Sequence, residues 1–254
     1  MGERESYAPG TFCWVDLSTT DAQAAKAFYQ RMFGWEGEDM PVGESQTYTM
    51  LRLRGLDVAA LYEQGEDERD AGIPPHWSSY ISVVDVDEVA ARVEGLGGRL
   101  LAGPFDVLDS GRMAVVQDPT GAIVSLWQAG RHIGARLVND PGCLTWNDLA
   151  TPDPAAAGAF YRELLGWEIA EQAPEYATIS NEGRVNGGIR RDTDLPPHWL
   201  PYFTTESVAQ TTGAAREAGG QVLAEGIEVP AGRIAVILDP QGAPFAVFEG
   251  DVDE

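Results

Sequence analysis

The sequence predicts an α+β fold: two similar halves, each built of two β-α-β-β-β modules, four modules in all. Three observations carry this: a long internal repeat, helix-period stripes capped at both ends, and short β-type runs joined by tight turns. The repeat comes first. Residues 9–36, PGTFCWVDLSTTDAQAAKAFYQRMFGWE, match residues 141–168, PGCLTWNDLATPDPAAAGAFYRELLGWE, at 15 of 28 positions with a constant offset of 132. PPHWSSY at Pro74–Tyr80 answers PPHWLPY at Pro196–Tyr202. GRMAVVQDPTGA at Gly111–Ala122 answers GRIAVILDPQGA at Gly232–Ala243. The repeat divides the 254 residues into domains 9–128 and 141–249, with Ala129–Asp140 as a linker.

Each half begins with an alternating strand, Thr11–Ser18 in the first. Asp21 then offers a helix N-cap, and Ala25, Phe28, Tyr29 and Met32 form an apolar stripe at helical spacing. Gly34 ends that helix as a C′ glycine. In the second half Asp153 caps, Pro154 takes the first helical position, and Phe160, Tyr161, Leu164 and Leu165 form the stripe before Gly166. Strand-like runs follow at Tyr48–Arg54 and Val58–Tyr62. The second helix of each half spans Val86–Leu96 and Val208–Ala218, ended by Gly97-Gly98 and Gly219-Gly220. After them come β-type pairs, Arg112–Gln117 with Ile123–Gln128 and Arg233–Leu238 with Phe245–Glu249. The turns between, Asp118-Pro-Thr-Gly121 and Asp239-Pro-Gln-Gly242, are hairpin signals.

Composition narrows the function. With 40 acidic and 17 basic residues the net charge is −23, which repels nucleic acid and anionic membrane surfaces. No apolar run approaches the roughly 20 residues that span a bilayer, and the N-terminus lacks a secretory core. The expectation is a cytoplasmic monomer or homodimer whose partner is a small-molecule ligand. Cys13 and Cys143 belong to no CxxC or Cys/His cluster and read as buried, reduced thiols. No dinucleotide, P-loop, nucleophile-elbow, HExxH or EF-hand motif is present.

The pattern D-x6-FY-x4-GW after a short strand, with a DPxG turn before the last strand, resembles the vicinal oxygen chelate superfamily. That group includes glyoxalase I, fosfomycin- and bleomycin-resistance proteins and extradiol dioxygenases. The paired halves and PPHW segments are similar to a two-domain actinobacterial subgroup. The resemblance implies curved mixed sheets that form clefts. It also implies a metal site with one ligand on a module's first strand and two on its partner module. The matching positions here are Trp14 and Trp146, Ser78 and Leu200, and Ser125 and Ala246. None is a His or a carboxylate, so the expectation is no metal and no cofactor.

Strand alternation extends those positions along one face. Trp14 is joined by Asp16, Trp146 by Asp148, Ser78 by His76 and Tyr80, Leu200 by His198 and Tyr202, Ser125 by Trp127, and Ala246 by Phe248. By the resemblance this is the cleft face. The module pairing stays open: within a half, or first with fourth and second with third. Asp16 and Asp148 are candidate general bases, anchors for a ligand amine or amide, or structural carboxylates held by Arg or backbone N–H groups. His76 and His198 are acid-base candidates, or strand-entry residues bonded to backbone. His132 reads as a surface residue of the linker. The Trp and Tyr positions read either as a ligand pocket or as core. Two functions follow, beside a protein-interaction module without ligand, which nothing in the sequence addresses. One is a binding protein for a hydrophobic or aromatic small molecule in a metal-free cleft. The alternative is a glyoxalase-like or other small-molecule lyase or oxidoreductase using Asp/His acid-base chemistry. Whether the protein is an enzyme stays open.

Overall fold

The structure is a computed structural model, and it describes residues 2–43 and 46–252. The first half runs β1 (Phe12–Thr19), α1 (Ala22–Phe33), β2 (Glu36–Val42), β3 (Gln46–Leu53), β4 (Leu56–Glu63), α2 (Glu66–Asp70), β5 (His76–Ser82), α3 (Val86–Val93), β6 (Arg99–Val107), β7 (Gly111–Gln117) and β8 (Ile123–Ala129). The second runs β9 (Leu144–Thr151), α4 (Pro154–Leu165), β10 (Glu168–Ala173), β11 (Tyr176–Asn181), β12 (Arg184–Arg191), β13 (His198–Thr204), α5 (Val208–Glu217), β14 (Gln221–Val229), β15 (Gly232–Leu238) and β16 (Pro244–Gly250). Each half forms one curved eight-stranded sheet, in the order β2-β3-β4-β1-β5-β8-β7-β6 and β10-β11-β12-β9-β13-β16-β15-β14. Modules therefore pair within a half. β1 meets β5 antiparallel at the centre, while β1–β4 and β5–β8 are the parallel pairs.

The capping signals act as read. Asp21 accepts from the Ala24 N–H at 2.9 Å, and Gly34 closes α1 at φ 73°. Asp153 and Gly166 do the same for α4, with Pro154 in its first turn. The exposed edge strands β2 and β10 carry no alternation and were not legible individually.

The helices lie between the two sheets and cross from half to half. One core cluster joins Phe28 and Tyr29 of α1 and Trp35 to Phe203, Val208 and Phe245 of the second half. The other joins Ile81, Val86 and Ala90 of the first half to Phe160, Tyr161 and Trp199. Gly98 and Gly220 make room for this. A Cβ on Gly98 would meet Phe160 at 2.8 Å, and one on Gly220 would meet Phe28 at 3.0 Å. The DPxG turns also bind across the halves: the Tyr29 hydroxyl donates to Asp239 at 3.1 Å and accepts from the Trp77 indole at 3.0 Å.

The segment Ala129–Asp140 is not a plain linker. Ala135 and Leu137 are almost fully buried, and the Ala135 N–H donates to the Cys13 carbonyl at 2.7 Å. His132 is a correction to the surface reading. Its ring is half-buried, edge-on to Trp14 at 4.5 Å and near Trp127 at 5.9 Å, because the segment folds back over the first sheet. Cys13 and Cys143 are free and buried. Among the described residues no helix is long and apolar enough to cross a membrane.

Candidate functional site

The faces turned away from the helices carry the residues singled out in the sequence. On β1, Val15 and Leu17 enter the helix-side core, so Trp14 and Asp16 face the other way. Register aligns Trp14 with Tyr80, Asp16 with Ser78 and Tyr80 with Ser125. Trp14, Tyr80 and Trp127 share one apolar cluster with Met50 and Ala60. In the second half Trp146 aligns with Tyr202, Asp148 with Leu200, and Tyr202 with Ala246. Leu200, Tyr202 and Ala246 cluster with the half-buried Trp146 and Phe248.

Each sheet places one carboxylate at the foot of its aromatic wall. Asp16 is 2 % exposed, and its Oδ2 accepts from the Tyr80 hydroxyl at 2.8 Å and the Tyr48 hydroxyl at 3.0 Å. Tyr48 in turn accepts from the Trp14 indole at 3.1 Å. Asp16 Oδ1 is buried with no partner. Asp148 is fully supplied instead. Its Oδ1 accepts from the Trp146 indole at 2.8 Å and the Tyr176 hydroxyl at 2.9 Å, and its Oδ2 accepts from the Tyr202 hydroxyl at 2.7 Å. Gly188, beside Asp148, permits this: a Cβ there would lie 2.3 Å from Asp148 Oδ1 and 2.1 Å from the Tyr176 hydroxyl.

Neither carboxylate is held by Arg or by peptide N–H groups, the structural alternative read from sequence. Two tyrosines hold Asp16, and two tyrosines with one tryptophan hold Asp148. Sequence reasoning missed Tyr48 and Tyr176. The signal was there: Tyr48 is the third residue of β3 and Tyr176 the first of β11, the second strand of each half's first hairpin, paired across its sheet with β4 or β12. Glu68 of the short α2 was missed too. It accepts from the Tyr62 hydroxyl at 3.3 Å and the Ser18 hydroxyl at 3.4 Å.

Burial pushes the Asp16 carboxyl up to about 6, against the pull of the Tyr80 and Tyr48 hydroxyls. Burial raises Asp148 as well, opposed by Tyr202, Trp146 and Tyr176. The same burial raises the tyrosine hydroxyls, which stay protonated as donors. His76 and His198 each hold Nδ1 against the carbonyl of the proline two residues back, at 2.9 and 2.8 Å. A carbonyl only accepts, so Nδ1 carries the proton and Nε2 is the free ring nitrogen.

The raised Asp16 value has a stability consequence. A carboxyl with a folded value above its unfolded one favours the fold when protonated, below about pH 4. That contribution is lost as pH rises through about 6. The shift of about two units corresponds to roughly 3 kcal/mol. Urea unfolding of the protein and of Asp16→Asn at pH 4, 5, 6 and 7 is expected to show the native protein losing ground to the variant by ~2–3 kcal/mol across that range. Parallel profiles would mean that Asp16 ionises as freely as in water.

The family's metal positions do not fit an ion. Trp14, Ser78 and Ser125 offer two neutral hydroxyls, and Trp146, Leu200 and Ala246 offer nothing; an indole nitrogen carries its proton and has no free lone pair. Among the described residues no group of three or more His, Cys, Asp or Glu side chains could hold a metal.

A cavity of about 710 Å³ adjoins the second sheet, lined among others by Trp146, Asn147, Asn181, Arg184 and, from the N-terminal arm, Arg4 and Tyr7. Trp14, which sequence reasoning paired with Trp146 as a cleft residue, is only 3 % exposed beneath the returning segment.

The comparisons agree with the fold. The Glyoxalase/Bleomycin resistance protein/Dioxygenase superfamily matches residues 11–126, and a Glyoxalase-like domain matches residues 146–248. "Putative glyoxylase CFP32" of Mycobacterium tuberculosis is 44 % identical over 98 % of both chains. "Anthracycline biosynthesis protein DnrV" of Streptomyces peucetius is 34 % identical over 96 % of this chain and 94 % of its own. The Mn(II)-bound glyoxalase from Novosphingobium aromaticivorans has a similar fold, with TM-score 0.67 at 15 % identity over 96 % of this chain and 84 % of that one. The 2,3-dioxygenase LapB from Pseudomonas sp. KL28 gives TM-score 0.68 at 13 % identity over 97 % and 96 %. With its duplicated β-α-β-β-β modules, its two curved sheets and these matches, the chain belongs to the glyoxalase/bleomycin resistance protein/dioxygenase superfamily, the vicinal oxygen chelate group.

Proposed function

We propose that the protein binds a small hydrophobic or aromatic molecule in a cleft that uses no metal, with Asp16 or Asp148 as the polar anchor under an aromatic wall. The carrying observation is the buried carboxylate held by tyrosine hydroxyls in each half, joined by an indole at Asp148, where the family's metal donors are replaced by indole, aliphatic and hydroxyl groups. An apolar wall with a few convergent polar groups is the usual make-up of a small-molecule site. Relatives named for anthracycline biosynthesis are in keeping with a planar polycyclic ligand.

The second cleft is the more accessible, because Trp146 and Phe248 are half-buried while Trp14 and Trp127 are covered. Titration with a planar probe such as 1,8-dihydroxyanthraquinone is expected to quench tryptophan emission. Trp146→Ala should weaken binding by about 1.5–3 kcal/mol, the worth of burying a large ring. Binding should persist after chelation, in protein holding sub-stoichiometric metal. Unchanged affinity in Trp146→Ala would sink the cleft assignment, and loss of binding on chelation would sink its metal-free character.

A second reading is acid-base catalysis at Asp16, favoured by its buried, unpartnered Oδ1 and its value of about 6. Its mark would be turnover that follows a titration near pH 6 and is abolished in Asp16→Asn with ligand affinity retained.

A further inference from the structure

The two halves differ at one matching place, and the difference exposes a strand edge. Parallel strands β1 and β4 pair only from Asp16 and Ala60 onward, and β9 and β12 only from Asp148 and Gly188. Before that point each pair splays into a fork. In the first half the fork is closed by the chain itself. The Ala135 N–H donates to the Cys13 carbonyl and the Arg136 N–H to the Asp57 carbonyl, each at 2.7 Å. Gly134 is required there, since a Cβ would lie 2.3 Å from the Cys13 oxygen. Ala135, Leu137 and Val138 are buried in the process.

Aligned through the register, Cys13 corresponds to Thr145 and Asp57 to Val185. Cys13 and Thr145 each sit in a β-bulge, where the extra residue is left out of the ladder. Asn147 stands opposite Pro201, which has no N–H to donate to it. Thr145, Asn147 and Val185 all line the cavity of about 710 Å³. Among the described residues no peptide N–H from outside the strands donates to Thr145 or Val185. The cavity lining carries two cations, Arg4 and Arg184, against one carboxylate, Glu182, and neither arginine takes part in an ion pair among the described residues. In a chain of charge −23, a cavity lining with two arginines and one glutamate is a locally net-positive spot.

We propose that the fork between β9 and β12 is a docking site for an extended acidic peptide of a partner protein, which enters as a short added strand as Gly134–Arg136 does in the first half. The peptide's N–H groups meet the Thr145 edge, a glycine sits at the point of closest approach, and a carboxylate reaches Arg4 or Arg184. This is strand addition, in which main-chain bonds give affinity and side chains give selection. Asp148 does not line the cavity, but Trp146, whose indole donates to Asp148, does, so the docking site adjoins the proposed small-molecule cleft.

The test uses the full protein and two fluorescein-labelled peptides of residues 132–139, one native and one carrying Arg136→Glu. Fluorescence anisotropy is expected to show saturable binding of the Arg136→Glu peptide. Its affinity should exceed that of the native peptide by roughly tenfold and fall with added salt. Arg184→Glu should invert the preference. Thr145→Trp, which fills the fork, should abolish binding of both while dihydroxyanthraquinone quenching persists. If Thr145→Trp fails to fold, Arg184→Glu alone decides. Absence of binding at millimolar peptide, or binding indifferent to Arg184→Glu, overturns the proposal. So does displacement of the peptide by dihydroxyanthraquinone, which would make the cavity part of the small-molecule cleft.

Discussion

Trp167→Ala is expected to destabilise the protein by about 3–5 kcal/mol, the usual cost of truncating a buried tryptophan. Trp167 is 1 % exposed, stacks on Tyr161 at 5.0 Å, and meets Phe12 of the other half at 5.6 Å. Its indole donates to the Gly10 carbonyl at 2.7 Å. That carbonyl keeps a second donor, Asn186 Nδ2 at 2.8 Å, so the lost hydrogen bond contributes little and the cavity dominates. Trp167→Phe, which refills most of the space, should cost less than half as much. Trp35 plays the same part in the other cluster, with its indole on the Gly142 carbonyl at 2.8 Å. Both tryptophans tie a residue of one half to the backbone of the other. Guanidinium unfolding followed by fluorescence and by far-UV dichroism should therefore give one coincident transition, displaced as a whole. A Trp167→Ala loss under about 1 kcal/mol would mean that the cluster collapses to fill the void.

Asp148→Ala should be nearly as costly, by about 3–5 kcal/mol, because it removes a buried acceptor from three donors at once: the buried Tyr202 and the half-buried Trp146 and Tyr176. Asp148→Asn keeps an oxygen for one side but turns an N–H₂ toward a donor, so an intermediate loss of about 1–3 kcal/mol is expected. Asp16→Ala should cost less than Asp148→Ala. Asp16 serves two donors, and its other oxygen is itself an unpartnered buried group. Urea midpoints at pH 7 give the ranking, and equal losses at the two sites would show that the orphaned oxygen carries no penalty.

Much of the architecture was legible because local signals agreed with the global pattern. Asp21 and Gly34 bracket α1, and Asp153, Pro154 and Gly166 bracket α4, each by a mechanism that sequence displays. Alternation placed Trp14 with Asp16 and Trp146 with Asp148 on a common face, since side-chain period in a strand is fixed. Pairing of the modules was not legible. It depends on which strand edges meet, and β1 and β13 carry the same apolar alternation whichever partner they take. The residues that hold the carboxylates were half legible: Tyr80 and Tyr202 stood on the right face, while Tyr48 and Tyr176 come from strands two places away. His132 was misread because polar composition said loop. Nothing local in Arg131–Gly134 announces a strand fork that needs closing.

The interleaved core also bears on how the chain folds as it is made. Phe28, Tyr29 and Trp35 are translated early, yet they are buried against Phe203 and Phe245. About 170 to 220 residues separate the two groups in the chain, so at roughly 5–20 residues per second the ribosome takes about 10–40 s to deliver the partner surface. Through that interval the first sheet can form its ladder while the helix side stays unroofed, a sticky intermediate of the kind that holding chaperones retain. Contacts of such high sequence separation also make the final docking of α1 on α5 a slow, late step.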